Sequence, residues 1–237
     1  MRLHIIRHGD PDYANDALTP QGHKEAAALA ERMAAFPLKT IYSSPMGRAW
    51  QTGGYTAEKL GLPVTVLPWA EEVRLPAGEP DTKLLPATVT IWDMPAHLLR
   101  ECESHPDGWM NAPTMHPPKT EEKFGEIRRG WEDLLARYGV AYRNGLAFTE
   151  KELPRHDVAL FCHHGLGLSL LSVMMGIPAT VLWGSVWLPP TSVTTVLFEE
   201  MDRSQINFRV VGLGDTSHLY AAGFADQSSR GLMYNCR

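Results

Sequence analysis

Three short stretches of the 237-residue chain end apolar runs with residues that could do chemistry. Arg7-His8-Gly9-Asp10 follows Leu3, Ile5 and Ile6, Ser43-Ser44-Pro45 with Arg48 follows Ile41, and His163-His164-Gly165 follows the run from Val158 to Cys162. Arginine offers a fixed fork of donors and keeps its charge at neutral pH, which suits phosphate oxygens. A neutral imidazole can attack phosphorus, and nearby cations neutralise the charge that grows on the equatorial oxygens. Gly9 and Gly165 would let backbone approach a ligand without Cβ interference. Together the residue types point to an anion site, with phosphate the leading ligand. Each stretch alone also has a plainer account. Arg7 could pair with one of the 27 acidic residues, His8 could be a hydrogen-bonded core histidine, and Ser44-Pro45 could simply start a helix. Their convergence carries the chemistry.

Convergence needs elements that bring three distant stretches to one place. LHIIR (3–7), TIYSS (40–44), VTVLP (64–68) and VALFC (158–162) read as strands, each ending near one of these clusters or the acidic pair Glu71-Glu72. Between the first two strands, Ala26, Leu29, Ala30 and Met33 recur at helical spacing, with Thr19 as cap and Pro20 in the first turn. A second helix is expected from Ser44-Pro45 to Gly61, and the apolar LGLSLLSVMMG forms another after His164. Strands alternating with helices imply an α/β fold: a three-layer sandwich whose mixed, mostly parallel central sheet carries helices on both faces. Side chains just beyond the carboxyl ends of such strands form ligand sites. SVTTVLFEE (192–200) and INFRVVGLG (206–214) read as an antiparallel hairpin at one side of the sheet.

The alternation breaks after Val73. Residues 73–118 are rich in proline, histidine and tryptophan and read as an irregular insertion or cap, with a short helix near MPAHLLRECE, inside one domain spanning 1–237. Trp92, His97, Arg100, His105, Trp109 and His116 could cover the pocket from above, with Trp69 near its edge; packing is an equal role for such aromatics. Amphipathic spacing resumes at Phe124, Ile127, Trp131, Leu134 and Leu135.

Composition narrows the function classes. The chain is 44% hydrophobic and 21% charged, and its net charge of −5 argues against an extended nucleic-acid footprint. Three scattered cysteines, Cys102, Cys162 and Cys236, form no disulfide framework and suit a cytoplasmic setting. The run from Leu166 to Leu188 has membrane-like length, but its glycines and Pro178 divide it into helix, turn and strand, so no membrane partner is expected. Cys102, His105 and His116 lack a convincing fourth metal ligand, and no metal or cofactor is expected. No GxSxG elbow accompanies the serines, Cys162 sits inside a strand, and RHGD lacks the spaced glycines of a dinucleotide turn. Oligomeric state is left open, a homo-oligomer being compatible.

The longer segments IIRHGDPDYANDALTPQGHKEA, IYSSPMGRAWQT, FCHHG and GLGDTSHLY resemble motifs of the histidine phosphatase superfamily, the phosphoglycerate-mutase-like group. The resemblance spans both ends of the chain and leaves mainly 73–155 atypical. It implies that His8 is the nucleophile forming a phosphohistidine, and that Arg7 and Arg48 clamp the phosphoryl group. It also implies that His164, the histidine next to glycine, completes the pocket, with His163 as its rival. Members that dephosphorylate small esters often place a glutamate soon after the third strand. Glu72 fits that register better than Glu71, and Asp10 is a further candidate; the usual glycine-tryptophan-glutamate-glycine continuation is missing. Ser44 is an auxiliary candidate. The expected activity is hydrolysis of a small phosphorylated metabolite, with a phosphoglycerate-type phosphomutase and a non-catalytic phospholigand-binding module as alternatives.

Overall fold

The computed structural model describes residues 1–77, 89–143, 145–201 and 204–224. Residues 78–88 of the expected insertion, the end of the tail and Cys236 lie outside the described residues.

The expected strands form around β1 (Arg2–Arg7), β4 (Leu38–Ser43), β5 (Val64–Val66) and β8 (Asp157–Cys162). Together with β9 (Val193–Glu200), β10 (Gln205–Asp215), β7 (Leu146–Thr149) and β6 (Val140–Arg143) they build one sheet of order β5-β4-β8-β1-β9-β10-β7-β6. The first four are mutually parallel and the rest pair antiparallel, so six of the eight described strands run the same way. A two-stranded ribbon, β2 (Pro11–Asp12) with β3 (Ala17–Leu18), shapes the loop after His8.

Alternation along the central strands separates two apolar layers. Ile6, Ala159 and Phe161 face one cluster with Leu29 and Met33 of α1 (Pro20–Met33) and Ala57 of α2 (Gly47–Leu60). Leu3, Ile5, Val158, Leu160 and Cys162 face the other, with Ile127 and Trp131 of α4 (Pro117–Ala136) and Leu166 and Leu170 of α5 (His164–Met175). Helices therefore cover both faces. α5 is apolar all round because α4 and α6 (Ala179–Trp183) enclose its outer side, as a fully buried helix requires.

Local chemistry sets most helix ends where expected. Thr19 Oγ1 accepts the Gly22 N–H at 3.0 Å with Pro20 in the first turn, and α2 ends on Gly61 at φ +63°. Two expectations are corrected. α2 begins at Gly47 rather than at Ser44-Pro45, because Ser44 Oγ turns back to accept the Met46 N–H at 3.2 Å. After Pro178 the chain forms α6 and then an irregular segment instead of a strand, since Ala179, Leu182 and Trp183 bury one helical face. None of the helices among the described residues is long and apolar enough to cross a membrane.

The short helix expected near MPAHLLRECE is α3 (Ala96–Glu103). The tryptophans divide between two tasks. Trp109 packs edge-on against Phe124 at 5.0 Å and Trp183 at 5.5 Å, and Trp69 lies against Gly130 of α4 so closely that a Cβ there would stand 2.2 Å from its ring. These two are packing residues and do not roof the strand ends; Trp92 reaches them. The β6–β7 hairpin was not expected. It is held by Trp131, whose Nε1 donates to the Tyr142 hydroxyl at 3.0 Å.

Candidate active site

Register brings the three polar strand ends together. Arg7 lies opposite Cys162 and Ser43 opposite Phe161, so His8, His163 and Ser44 all emerge at the carboxyl edge of three adjacent parallel strands. All three side chains are buried. Backbone bonds fix the edge: the His8 N–H donates to Cys162 O at 3.0 Å and the Ser44 N–H to Phe161 O at 2.9 Å.

His8 Nδ1 lies 2.7 Å from Gly9 O. A carbonyl only accepts, so the neutral ring carries its proton on Nδ1 and leaves Nε2 bare. Burial holds the His8 pKa well below the usual imidazole value, and the Arg7 and Arg48 charges push in the same direction. The ring is thus kept neutral.

The two arginines are anchored from opposite sides. Arg7 Nη1 donates to Leu188 O at 2.6 Å and its guanidinium lies 4.8 Å over the Trp187 ring. Arg48 Nη1 donates to Asp16 Oδ1 at 2.5 Å, with Tyr13 5.4 Å away over its face. In both, Nε is buried without a hydrogen-bond partner among the described residues, and His163 Nδ1 is in the same state. Each such orphan costs about 1–3 kcal/mol, more when charged. The three orphaned nitrogens, two of them on arginines, are donors or potential donors suited to an anion.

The paired histidines separate. The His163 ring centre lies 5.2 Å from that of His8, and its Nε2 lies 2.8 Å from Ser44 Oγ. His164, one step into α5, accepts the Leu188 N–H on Nδ1 at 3.3 Å and sits 5.3 Å from Trp92 and 4.5 Å from Trp187. His163 therefore adjoins His8, while His164 sits among aromatics. Burial lowers both pKa values well below the usual imidazole value. The histidine-before-glycine register led to the expectation that His164 completes the pocket with His163 as its rival, and the ring positions put His163 beside His8. The extended backbone of His163 ahead of α5 is the cause.

Glu72 reaches the start of α5 from the segment after β5. Its carboxylate accepts the N–H groups of Val73 at 2.9 Å, Leu166 at 2.8 Å and Gly165 at 3.2 Å. Those bonds and Arg7 favour the charged form, yet burial outweighs them and raises the Glu72 pKa above the usual carboxylate value. Glu71 is exposed beside it. Asp10 sits elsewhere: its Oδ2 accepts from Thr19 Oγ1 at 2.6 Å, tying the nucleophile loop to the cap of α1.

Gly9 and Gly165 serve protein contacts rather than the expected open approach to a ligand. A Cβ on Gly9 would stand 2.9 Å from Gly22 O, and one on Gly165 would stand 2.5 Å from Trp92 Cδ1 and 2.8 Å from Glu72 Oε1. Behind the site, Thr191 donates its N–H to His8 O at 3.1 Å, and His218 Nε2 lies 3.2 Å from Thr191 Oγ1. Arg32 joins this support through Asp215 at 2.7 Å. Burial pushes the Cys162 thiol up, which makes it a poor nucleophile. Cys102 Sγ is 3.0 Å from Thr114 Oγ1, and no group of three or more His, Cys, Asp or Glu is placed to hold a metal among the described residues. Sequence reasoning missed Asp16, Trp187 and Leu188; only their long-range contacts reveal them.

A family model described as "Histidine phosphatase superfamily (branch 1)" matches residues 3–83, the segment that holds Arg7, His8, Arg48 and Glu72. Over that segment the chain is similar to the histidine phosphatase superfamily. Among curated relatives, "Putative phosphoserine phosphatase 2" of Hydrogenobacter thermophilus is 25% identical over 194 residues, covering 77% of this chain and 82% of its own. "Probable phosphoglycerate mutase GpmB" of Escherichia fergusonii is 24% identical over 233 residues, covering 93% and 96%. The solved structure of a mycobacterial glucosyl-3-phosphoglycerate phosphatase matches with a TM-score of 0.60 at 23% identity, over 90% of this chain and 98% of that one. At that identity the structural likeness speaks for the fold.

Proposed function

We propose that this protein is a histidine phosphatase, a metal-independent phosphomonoesterase that hydrolyses a small phosphorylated metabolite through a phosphohistidine on His8. The observation that carries the reading is the 2.7 Å contact of His8 Nδ1 with Gly9 O, which leaves Nε2 bare on a ring that feels the charges of two buried arginines. The phosphatase names of two of the matched proteins support the same activity class.

In the proposed mechanism, Arg7 and Arg48 bind the phosphoryl oxygens through the nitrogens their anchors leave over. His163 takes the neighbouring place that the resemblance assigned to His164. The His8 Nε2 lone pair attacks phosphorus in line. The P–O ester bond breaks, its electron pair stays on the leaving oxygen, and Glu72 supplies the proton. Water then attacks the phosphohistidine, the Glu72 carboxylate takes its proton, and the N–P bond breaks to release phosphate and restore His8. The guanidinium groups supply the charge neutralisation the loose transition state needs. A cytoplasmic setting accords with the free thiols of Cys102 and Cys162.

The test is a screen of phosphorylated sugars, nucleotides, hydroxy acids and amino acids with wild-type and His8→Ala protein, read as phosphate release and as acid-labile phosphoenzyme. Release that His8→Ala abolishes is expected. Conversion of 3-phosphoglycerate to its 2-isomer without release would replace the reading by the mutase. Tight binding with no turnover would replace it by the binding module.

A further inference from the structure

The two ring nitrogens of His163 have different surroundings. Nε2 lies 2.8 Å from Ser44 Oγ, whereas Nδ1 is buried with no hydrogen-bond partner among the described residues. Ser44 is itself fully buried, and its oxygen already accepts the Met46 N–H at 3.2 Å. A serine hydroxyl has a single proton to give, and His163 Nε2 is the acceptor found within its reach.

We infer that Ser44 is a positioning residue that donates its proton to His163 Nε2 and thereby holds the neutral ring in the Nδ1–H tautomer. His163 then offers the anion pocket an N–H donor without having to become a cation. The opposite arrangement, Nε2–H donating to Ser44, would strand the buried hydroxyl proton without an acceptor and turn a second lone pair into the pocket beside bare His8 Nε2. The groups that press on the charge of His163 are His8 and Arg7 at the end of β1, Arg48 of α2 and Arg74 beyond Glu72. All are cationic when ionised and keep the ring neutral, so the position of its one proton decides whether it attracts or repels an anion.

What the donor serves rests on the phosphomonoesterase reading; the tautomer does not. The experiment combines ¹⁵N spectroscopy of the histidine rings, with His163 assigned by comparison with His163→Gln, and pH profiles of p-nitrophenyl phosphate hydrolysis for wild type, Ser44→Ala and Ser44→Thr. Wild type is expected to show a protonated Nδ1 and a bare Nε2. Ser44→Ala is expected to move the proton to Nε2 and to lose about 10–100-fold in kcat/KM, the range for removal of a group that orients a ligating histidine. That loss should hold across the pH range in which the ring stays neutral, and Ser44→Thr should recover most of the activity. An Nε2–H tautomer in the wild type overturns the inference, and so does a Ser44→Ala protein that keeps the Nδ1–H tautomer. If wild type hydrolyses no phosphomonoester yet shows the Nδ1–H tautomer, the enzymatic reading fails and the assignment of Ser44 stands.

Discussion

Asp16 holds Arg48 and the start of α2 with one carboxylate: Oδ1 meets Arg48 Nη1 at 2.5 Å and Oδ2 accepts the Gly47 N–H at 2.7 Å. The fit is tight, since a Cβ on Gly47 would stand 2.2 Å from Asp16 O, and Asp16 adopts a left-handed φ of +48°. The pairing aims a guanidinium that is 2% exposed, leaving its Nε for the pocket. Asp16→Ala should therefore raise KM for a phosphomonoester about tenfold, the scale of one charge-assisted hydrogen bond. Asp16→Asn, which tolerates the left-handed conformation and can still accept from Gly47, should fall between. An unchanged KM in Asp16→Ala would remove Asp16 from the clamp.

Gly165 is required by what leans on it. Its added Cβ would meet Trp92 Cδ1 at 2.5 Å, Trp92 Nε1 at 2.6 Å and Glu72 Oε1 at 2.8 Å. Trp92 is fixed by its Nε1 bond to Val73 O at 2.7 Å, and Glu72 by three backbone donors. Gly165→Ala should displace the carboxylate, lower kcat more than it raises KM, and cost about 1–3 kcal/mol of stability, as overpacking does. Paired denaturation and steady-state measurements check both, and wild-type kcat in a normally stable variant would show that Glu72 needs no fixed seat.

The legible parts of this protein are those where a short-range pattern meets a local rule. Apolar runs ending on Arg7-His8, Ser43-Ser44 and His163-His164 mark strand ends, and Thr19-Pro20 and Gly61 mark helix limits; each is visible within a few residues. Glu72 is legible as a candidate for the same reason. What stays hidden depends on side chains meeting across the fold. Asp16 reaches Arg48 from 32 residues away, and Leu188 serves Arg7 with its carbonyl and His164 with its N–H. The choice between His163 and His164 turns on how α5 leaves β8, which register alone does not specify. The β6–β7 hairpin had a local sign, Asn144-Gly145 between apolar residues, masked by its place after a long helix.

Glu72 and His8 are displaced toward each other in pKa, and that sets the pH dependence. Their ordinary values, 4.5 and 6.5, would leave no pH at which most molecules carry a protonated acid and a bare nucleophile. Burial raises the first and, with Arg7 and Arg48, lowers the second, and both shifts favour the pairing of a protonated acid with a bare imidazole. The sign follows from each direction. Activity should fall on the basic side as Glu72 loses its proton, later than an ordinary glutamate would, and on the acid side only below the usual imidazole range. Glu72→Gln should abolish the basic limb and reduce turnover of an alkyl phosphate about 10²–10⁴-fold. With p-nitrophenyl phosphate, whose leaving group needs no proton, the same variant should release a burst of nitrophenolate and accumulate phosphoenzyme, because water still lacks its base. Rapid-quench trapping of that phosphoenzyme across pH measures both steps. A Glu72→Gln protein that turns over both esters with the wild-type pH profile would transfer the proton to another group.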